Sequence, residues 1–330
     1  MIQPHLKIPL LIIGLCISWS VSALNTAKKT GVLMGSYFEV VAVANNDSIA
    51  QSATQKAWDE ISRIEKLISS WDTNSETHAI NQNAGIQPVK VSTELFQLIK
   101  RSIKISQLTG GGFDISYAAL DKLWNFRDQN LKIPEKAAID AAVSHVGFGK
   151  ILLDNGQQTV FLLEKGMKIG FGGIGKGFAA NQARKLMMEM GIENGLVNAG
   201  GDLIAWGHKA DGSKWRIGLA DPNTKGKVFS YLSVSNGAVV TSGDYERYVM
   251  IDGKRYAHIL DPRTGYPVTG LKSVTILCPD AEIADALATS VFVLGREKGL
   301  TLVNQLNDVE AVLVTDQNEI LTSANVNLEK

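Results

Sequence analysis

The sequence predicts an α+β protein in which mixed sheets are flanked by helices. Apolar residues recur at helical spacing in several separate stretches, whereas the stretch from Leu196 to Leu277 is rich in β-forming residues interrupted by turn residues. The chain has 330 residues, without a repeat or an evident linker, and is long enough to enclose a large core. We therefore expect one domain over residues 24–330, with two lobes around a shared cleft as one arrangement of it.

Helices and strands are predicted along the whole of this domain. The first half contains a strand at Val32–Val43 opened by Met34-Gly35-Ser36, a helix capped by Ser48 and ending near Ser69, a polar loop at Ser70–Glu76, a helix capped by Ser92 and ending near Gly110, and a short helix from Pro134 to about Ser144. The second half contains a hairpin of Val160–Leu163 and Met167–Ile169, a glycine-dense turn, a helix ending near Met190 before Gly191, the strands of 196–277, an apolar helix at Glu282–Leu294, and a last helix and strand at Val309–Thr315.

Residues 1–23 have the pattern of an export signal. Lys7 supplies positive charge, residues 8–17 are apolar, and Val21-Ser22-Ala23 offers small side chains before a cleavage point. This apolar stretch is short for a membrane-spanning helix. We predict cleavage after Ala23 and a periplasmic protein. An uncleaved anchor is the alternative, because the uncharged run continues to Ala27.

The composition excludes several classes of protein. A hydrophobic content of 45% with 20% charged residues is ordinary for a globular chain and argues against extended disorder. The formal net charge of zero gives no electrostatic reason to expect nucleic acid as a partner. Cleavage would remove Cys16 and leave Cys278 alone, which excludes an intramolecular disulfide and a cysteine metal site.

A hairpin near residue 250 presents polar groups. Two β-like runs, Tyr245–Ile251 and Lys254–Leu260, are separated by Asp252-Gly253, a strong hairpin signal. His258 lies in the second run beside Asp261, and a histidine near carboxylates can act as a general base. A structural histidine bonded to a turn is the alternative. His78, His145 and His208 have no partner at ligand spacing.

The glycine run at 170–177 admits two familiar interpretations that its neighbours disfavour. Gly170, Gly172 and Gly175 satisfy G-x-G-x-x-G, but the next strand ends in Asn198 where a dinucleotide site needs an acid, although Asp202 is close. The run is one residue short of a nucleoside triphosphate loop, and it has Gly177 in place of the Mg²⁺-binding hydroxyl. The remaining interpretation is a strand, a glycine turn and a helix whose backbone N–H groups, together with Lys176, would bind a phosphate. The alternative is a tight turn that packs a helix on a sheet.

Asp285 and Thr289 lie four residues apart on the apolar helix and therefore share one face. A carboxylate and a hydroxyl on that face suit Mg²⁺, which takes few carboxylates and completes its shell with water and phosphate. A helix start in which Thr289 bonds its own backbone is the alternative.

Five signatures, in order, resemble those of the ApbE-like FAD:protein FMN transferases. They are Met34-Gly35-Ser36, Ser70-Trp71-Asp72, Gly111-Gly112-Phe113-Asp114, the glycine run followed by Val197-Asn198-Ala199-Gly200-Gly201-Asp202, and Thr241–Pro267 with Asp285 and Thr289. The resemblance covers the mature chain and implies the ApbE-like flavin transferase fold, with FAD in a central cleft and Mg²⁺ at its pyrophosphate. Ser36 replaces a common Thr, and Gly170 stands where the family often has Asp, so that one contact to FAD is missing or supplied elsewhere.

The resemblance also implies roles for particular residues. Those lining the FAD site would be Met34, Trp71, Gly112, Phe113, Asp114, Gly170, Lys176 and Ile259, and the metal ligands would be Asp285, Thr289 and backbone oxygens of Gly173 and Ala288. A Thr or Ser hydroxyl of an acceptor protein would attack the FMN-side phosphorus of FAD, and AMP would leave. His258 is the candidate base, with Asp244 or Asp261 as alternatives.

The resemblance names partners and leaves alternatives open. The acceptor would be a flavoprotein with an exported FMN-binding domain, and membrane contact would come only through it or through an uncleaved signal. The competing activities are an FAD pyrophosphatase that releases FMN and AMP, and a periplasmic FAD-binding protein without catalysis.

Overall fold

The computed structural model describes residues 24–330, with the exception of Lys122, Asn125, 127–130, Lys225, Glu246, Arg247, Gly253, Asn327, Glu329 and Lys330. The predicted export signal therefore lies outside the described residues. Within the described part of the chain, no helix is both long and apolar enough to cross a membrane.

Helices and strands alternate along the chain in blocks. The helices are α1 (Asp47–Ile68), α2 (Glu76–Gln82), α3 (Thr93–Leu108), α4 (Lys136–Val143), α5 (Gly175–Glu189) and α6 (Ala281–Val303), and short 3₁₀ helices occupy Ile115–Leu120 and Phe148–Lys150. The strands are β1 (Asn25–Leu33), β2 (Ser36–Ala44), β3 (Val89–Lys90), β4 (Ile151–Asp154), β5 (Thr159–Leu162), β6 (Asn194–Ala199), β7 (Asp202–Trp206), β8 (Trp215–Ala220), β9 (Val228–Val234), β10 (Asn236–Gly243), β11 (Tyr248–Ile251), β12 (Lys254–Ala257), β13 (Leu271–Cys278), β14 (Glu310–Thr315) and β15 (Ile320–Thr322).

An antiparallel sheet of eight strands, in the order β1-β2-β6-β7-β10-β13-β14-β15, forms the centre of the fold. Strand β2 shows how its two faces differ, because successive side chains point to opposite sides. Phe38, Val40 and Ala42 join the large core under α1, α5 and α6, whereas Val41 and Val43 join a smaller cluster with Trp215 of β8. The helices therefore cover one face, and the β8–β9 hairpin packs on the other.

Smaller units lie around this sheet. Strands β3, β5 and β4 form a three-stranded sheet, and β11 pairs only with β12 among the described strands. Helix α3 is tied to the start of α6 by an ion pair in which Arg101 donates to Glu282 at 2.6 Å and 2.8 Å. This arrangement confirms the predicted α+β class of mixed sheets flanked by helices.

Several elements differ from the sequence prediction. The strand predicted at Val32–Val43 is a hairpin, because Met34 and Gly35 have φ of 50° and 68° and reverse the chain. Residues 167–169 form no strand, and β5 pairs with β4 and β3 instead. Asn46, and not Ser48, caps α1. The predicted helix end at Leu294 adjoins Gly295, whose non-helical backbone (φ 75°, ψ 176°) interrupts α6.

Candidate active site

The first turn of α5 and the first half of α6 meet closely, and a glycine permits the contact. The N–H of Gly177 donates to Asp285 Oδ2 at 3.0 Å, and that carboxylate is buried. A Cβ on Gly177 would lie 2.1 Å from the carbonyl oxygen of Ala281 and 2.8 Å from Asp285 Cβ. Any larger side chain would therefore push the two helices apart.

One turn further along α6, Thr289 faces the glycine turn. A Cβ on Gly173 would lie 2.9 Å from Thr289 Oγ1, so the backbone of Gly173 runs beside that hydroxyl. We call Gly173, Gly177, Asp285 and Thr289 the helix corner. Ala288, the other residue in the predicted ligand set, is buried next to Thr289 on α6.

The donor chemistry of the helix corner fits a hard cation. It brings together the carboxylate of Asp285, the hydroxyl of Thr289 and the backbone of Gly173, and Mg²⁺ prefers oxygen ligands such as carboxylates, hydroxyls and carbonyls. No cluster of three or more His, Cys, Asp or Glu suited to a metal occurs among the residues that the structure describes.

Lys176 stands on the first turn of α5, and its partner was not assigned from sequence. Its Nζ lies 2.6 Å from Oδ2 of Asp202, which is buried at the start of β7. Desolvation raises the pKa of Asp202, and the Lys176 ammonium lowers it. This pairing holds the lysine charge at the N-terminus of the helix. Asp202 ends the fourth sequence signature, which is the signal that could have identified it.

Met34 lies between the C-terminal end of α1 and the glycine turn, and Trp71 follows the end of α1 in the chain. Met34 Cε would be 3.5 Å from a Cβ on Gly175, and the Met34 N–H donates to Glu65 Oε1 at 2.7 Å. The indole of Trp71, three residues after the end of α1, is 82% exposed. An indole exposed to this extent offers a flat apolar surface to a ligand.

The Gly112–Asp114 signature is built into the fold. A Cβ on Gly112 would lie 3.2 Å from Leu294 Cγ, and Phe113 is buried. Asp114 is buried as well and accepts hydrogen bonds from the N–H and Oγ of Ser116 and from the N–H of Phe148. Desolvation raises the pKa of Asp114, and these hydrogen bonds oppose the rise. Asp114 is also among the residues that line a cavity of about 290 Å³, with Gly110, Gly111, Phe148, Pro262 and Arg263.

Tyr117, to which sequence reasoning assigned no role, contacts the glycine turn. A Cβ on Gly172 would lie 2.3 Å from the Tyr117 hydroxyl oxygen. Burial raises the pKa of Tyr117, the carboxylates of Asp121 and Asp285 add to the rise, and a backbone hydrogen bond from Gly172 opposes it. Gly170, two residues earlier, donates its N–H to the Ile115 carbonyl at 2.9 Å. The glycine turn therefore packs directly against the 3₁₀ helix at Ile115–Leu120.

His258 follows β12 at the start of a constrained turn. The Val268 N–H donates to the carbonyl of buried Ile259 at 3.0 Å, and the Asp261 N–H donates to the carbonyl of Tyr266 at 2.9 Å. Trp124 stacks on Tyr256 of β12 at a centroid distance of 6.1 Å. These contacts fix the direction in which the backbone at His258 leaves the hairpin.

Both alternative bases are paired with arginines. Arg263 donates from Nε to Asp261 Oδ1 and from Nη2 to Oδ2, each at 2.8 Å. Arg255 Nη1 donates to the Asp244 carboxylate at 3.2 Å. Desolvation raises the pKa of Asp244, and Arg255 lowers it. The guanidinium of Arg263 occupies both carboxylate oxygens of Asp261, whereas at Asp244 burial outweighs Arg255 and the pKa of the carboxyl stays raised.

The chain is similar to flavin transferases along most of its length. The sequence model of the ApbE family matches residues 34–313. An FAD:protein FMN transferase of Klebsiella pneumoniae is 34% identical over 297 residues, which are 89% of this chain and 91% of that protein. These findings confirm the resemblance seen in the five signatures.

Solved structures show the same fold. The ApbE protein of Thermotoga maritima superposes with a TM-score of 0.84 at 34% identity and covers 91% of this chain and 97% of its own. The flavin transferase ApbE of Vibrio cholerae superposes with a TM-score of 0.82 at 25% identity and covers 91% and 98%.

Proposed function

Because the chain belongs to the ApbE family of FAD:protein FMN transferases, we propose that it uses Mg²⁺ to transfer FMN from FAD to a Thr or Ser hydroxyl of an exported flavoprotein. The activity as a flavin transferase follows from family membership. The metal, the acceptor hydroxyl and the compartment are the proposed parts. The observation that supports the metal most directly is the helix corner, where Thr289 Oγ1 and Gly173 adjoin one turn from Asp285.

Asp285, Thr289 and the carbonyls of Gly173 and Ala288 would hold the ion. When bound, Mg²⁺ would neutralise charge that develops on the pyrophosphate of FAD. The first turn of α5 would assist, because the helix dipole favours a negative group at the N-terminus of the helix. Lys176 adds a positive charge there, oriented by Asp202 at 2.6 Å.

In the proposed reaction one bond to phosphorus forms and one breaks. The acceptor oxygen bonds to the FMN-side phosphorus, and the bond from that phosphorus to the bridging oxygen breaks, so that AMP leaves with that oxygen. The hydroxyl proton passes to an imidazole nitrogen of His258. Both carboxylate oxygens of Asp261 accept hydrogen bonds from Arg263, and Asp244, whose pKa burial raises, remains the alternative base.

The experiment supplies the mature protein, residues 24–330, with FAD, Mg²⁺ and an exported FMN-binding domain from the same organism. Intact mass and flavin fluorescence of the denatured acceptor report a covalent FMN adduct. We expect an adduct with wild type, none after chelation, and a loss of at least about a hundredfold in Thr289→Ala. Thr301→Ala is the matched control, since Thr301 lies on the same helix and bonds the carbonyl of Glu297.

Other results would change the assignment. Free FMN and AMP without an adduct would make the protein an FAD pyrophosphatase. Unchanged FAD with several acceptors would favour a flavin-binding protein. An adduct that survives chelation would remove Mg²⁺ from the reaction and leave the transfer itself in place.

We further propose that residues 1–23 direct export to the periplasm. The charge of Lys7, the apolar run and the small residues before Ala23 support this proposal. A fusion of residues 1–30 to alkaline phosphatase, which is active only outside the cytoplasm, should be active and cleaved. An inactive fusion would contradict export.

A further inference from the structure

The glycine turn at 170–177 is held from outside the helix corner by Tyr117. The ideal Cβ of residue 172 would lie 2.3 Å from the Tyr117 hydroxyl oxygen and 3.5 Å from its Cζ. Only the first of these distances is a clash, so the hydroxyl alone occupies the space beside Gly172. The side chain cannot move toward the turn without moving its backbone.

The turn connects this contact to the proposed metal ligands. Gly173 follows directly and runs beside Thr289 Oγ1, and Gly177 binds Asp285 through its N–H. The other end of the turn is fixed by the hydrogen bond of Gly170 to Ile115, two residues before Tyr117. The 3₁₀ helix at Ile115–Leu120 therefore contacts the turn at two points, through the backbone carbonyl of Ile115 and through the Tyr117 hydroxyl.

We propose that Tyr117 is a positioning residue, whose hydroxyl sets the glycine turn so that the Gly173 carbonyl and Thr289 converge on one ion. This role rests on the proposed Mg²⁺-dependent function. Groups that orient metal ligands without touching the metal typically change affinity by about 10- to 100-fold when they are removed. The role requires the hydroxyl and not the ring.

The first test uses Tyr117→Phe, which removes only the hydroxyl. Mg²⁺ affinity, measured by calorimetry with FAD present and by competition with Mn²⁺ followed by electron paramagnetic resonance, should fall about tenfold. The melting temperature should change little, because the ring remains in place. Tyr231→Phe, on β9 of the opposite hairpin, is the matched control and should leave the affinity unchanged.

The second test combines both partners. Gly172→Ala should reduce Mg²⁺ affinity and transfer activity by more than about tenfold in wild type, because the methyl group meets the hydroxyl. In the Tyr117→Phe background the same substitution meets only Cζ at 3.5 Å and should cost less than about threefold. Gly156→Ala, at an exposed glycine in the β4–β5 turn whose added Cβ would lie 3.4 Å from Asp154 Oδ1, controls for the substitution itself.

Two results would overturn the proposal. One is a Tyr117→Phe protein that binds Mg²⁺ within about twofold of wild type. The other is a Gly172→Ala substitution that is equally damaging in both backgrounds. Failure of wild type itself to bind Mg²⁺ would instead refute the metal site on which the proposed function depends, and it is measured separately.

Discussion

The helix corner and the β11–β12 hairpin carry the two halves of the proposed chemistry, and they are built in different ways. In the helix corner two long helices approach so closely that a Cβ on Gly177 would lie 2.1 Å from a backbone carbonyl. The hairpin belongs to a two-stranded sheet of its own, and Met250 in it is 52% exposed. The groups that would receive the pyrophosphate are therefore fixed by the core, whereas the group proposed to accept the proton follows a peripheral element.

This difference suits a transferase with a protein acceptor. Charge stabilisation is most effective when its dipoles are already in place before the reaction. The opposite side of the site must admit a macromolecule and release it afterwards. An element with fewer contacts can open locally at low free energy, and such elements commonly border binding sites.

The largest expected effect comes from Gly177→Ala. The added methyl group would meet Ala281 and Asp285, so the helices must separate, and we expect the free energy of unfolding to fall by about 3 kcal/mol. Urea denaturation measures this change. Gly156→Ala should change it by less than about 0.5 kcal/mol. Equal values for the two variants would show that the helix corner is not tightly packed.

Local sequence patterns predicted the two segments that form the helix corner, but they did not predict that these segments contact each other. The spacing of Asp285 and Thr289 on an apolar helix and the glycine run both follow from local patterns. The hydrogen bond from Gly177 to Asp285 joins residues 108 positions apart, and no periodicity encodes such a pairing. The family signatures were what placed the two segments together before the structure did.

The misplaced elements have local explanations of another kind. The turn at Met34-Gly35 was not predicted, because positive φ at a methionine is uncommon and apolar residues flank the turn on both sides. Tyr117 received no role because its importance depends on Gly172, which lies in a different segment. In both cases the determining fact is a neighbour in space and not a pattern along the chain.

An intermediate effect is expected in hydrogen exchange. Amides of α5 and α6 in the helix corner should exchange only through global unfolding, whereas those near Met250 should exchange through local opening. A difference of about 2 kcal/mol in opening free energy corresponds to about thirtyfold in protection. Native-state exchange read by mass spectrometry or NMR measures both regions together. Equal protection in the two regions would remove the contrast.

The smallest effect is expected from Arg255→Met in the hairpin. Arg255 stacks on Tyr248 at 4.5 Å and pairs with Asp244 at 3.2 Å, but it is partly exposed to solvent that screens the pair. We expect a loss of about 1 kcal/mol near pH 7.

The pH dependence identifies the source of that loss. Desolvation already raises the pKa of Asp244 above 3.8, and without Arg255 the pKa should rise further. A carboxyl whose folded pKa is raised favours folding when protonated and loses that contribution as pH rises through the folded pKa. The difference between variant and wild type should therefore shrink as pH falls toward the unfolded value. Denaturation at about pH 7.5 and about pH 4.5 measures how this difference in unfolding free energy depends on pH. The pH dependence should be absent when Asp244→Asn is present in both proteins. A loss that is independent of pH would assign the effect to the stacking of Arg255 on Tyr248 and not to its pair with Asp244.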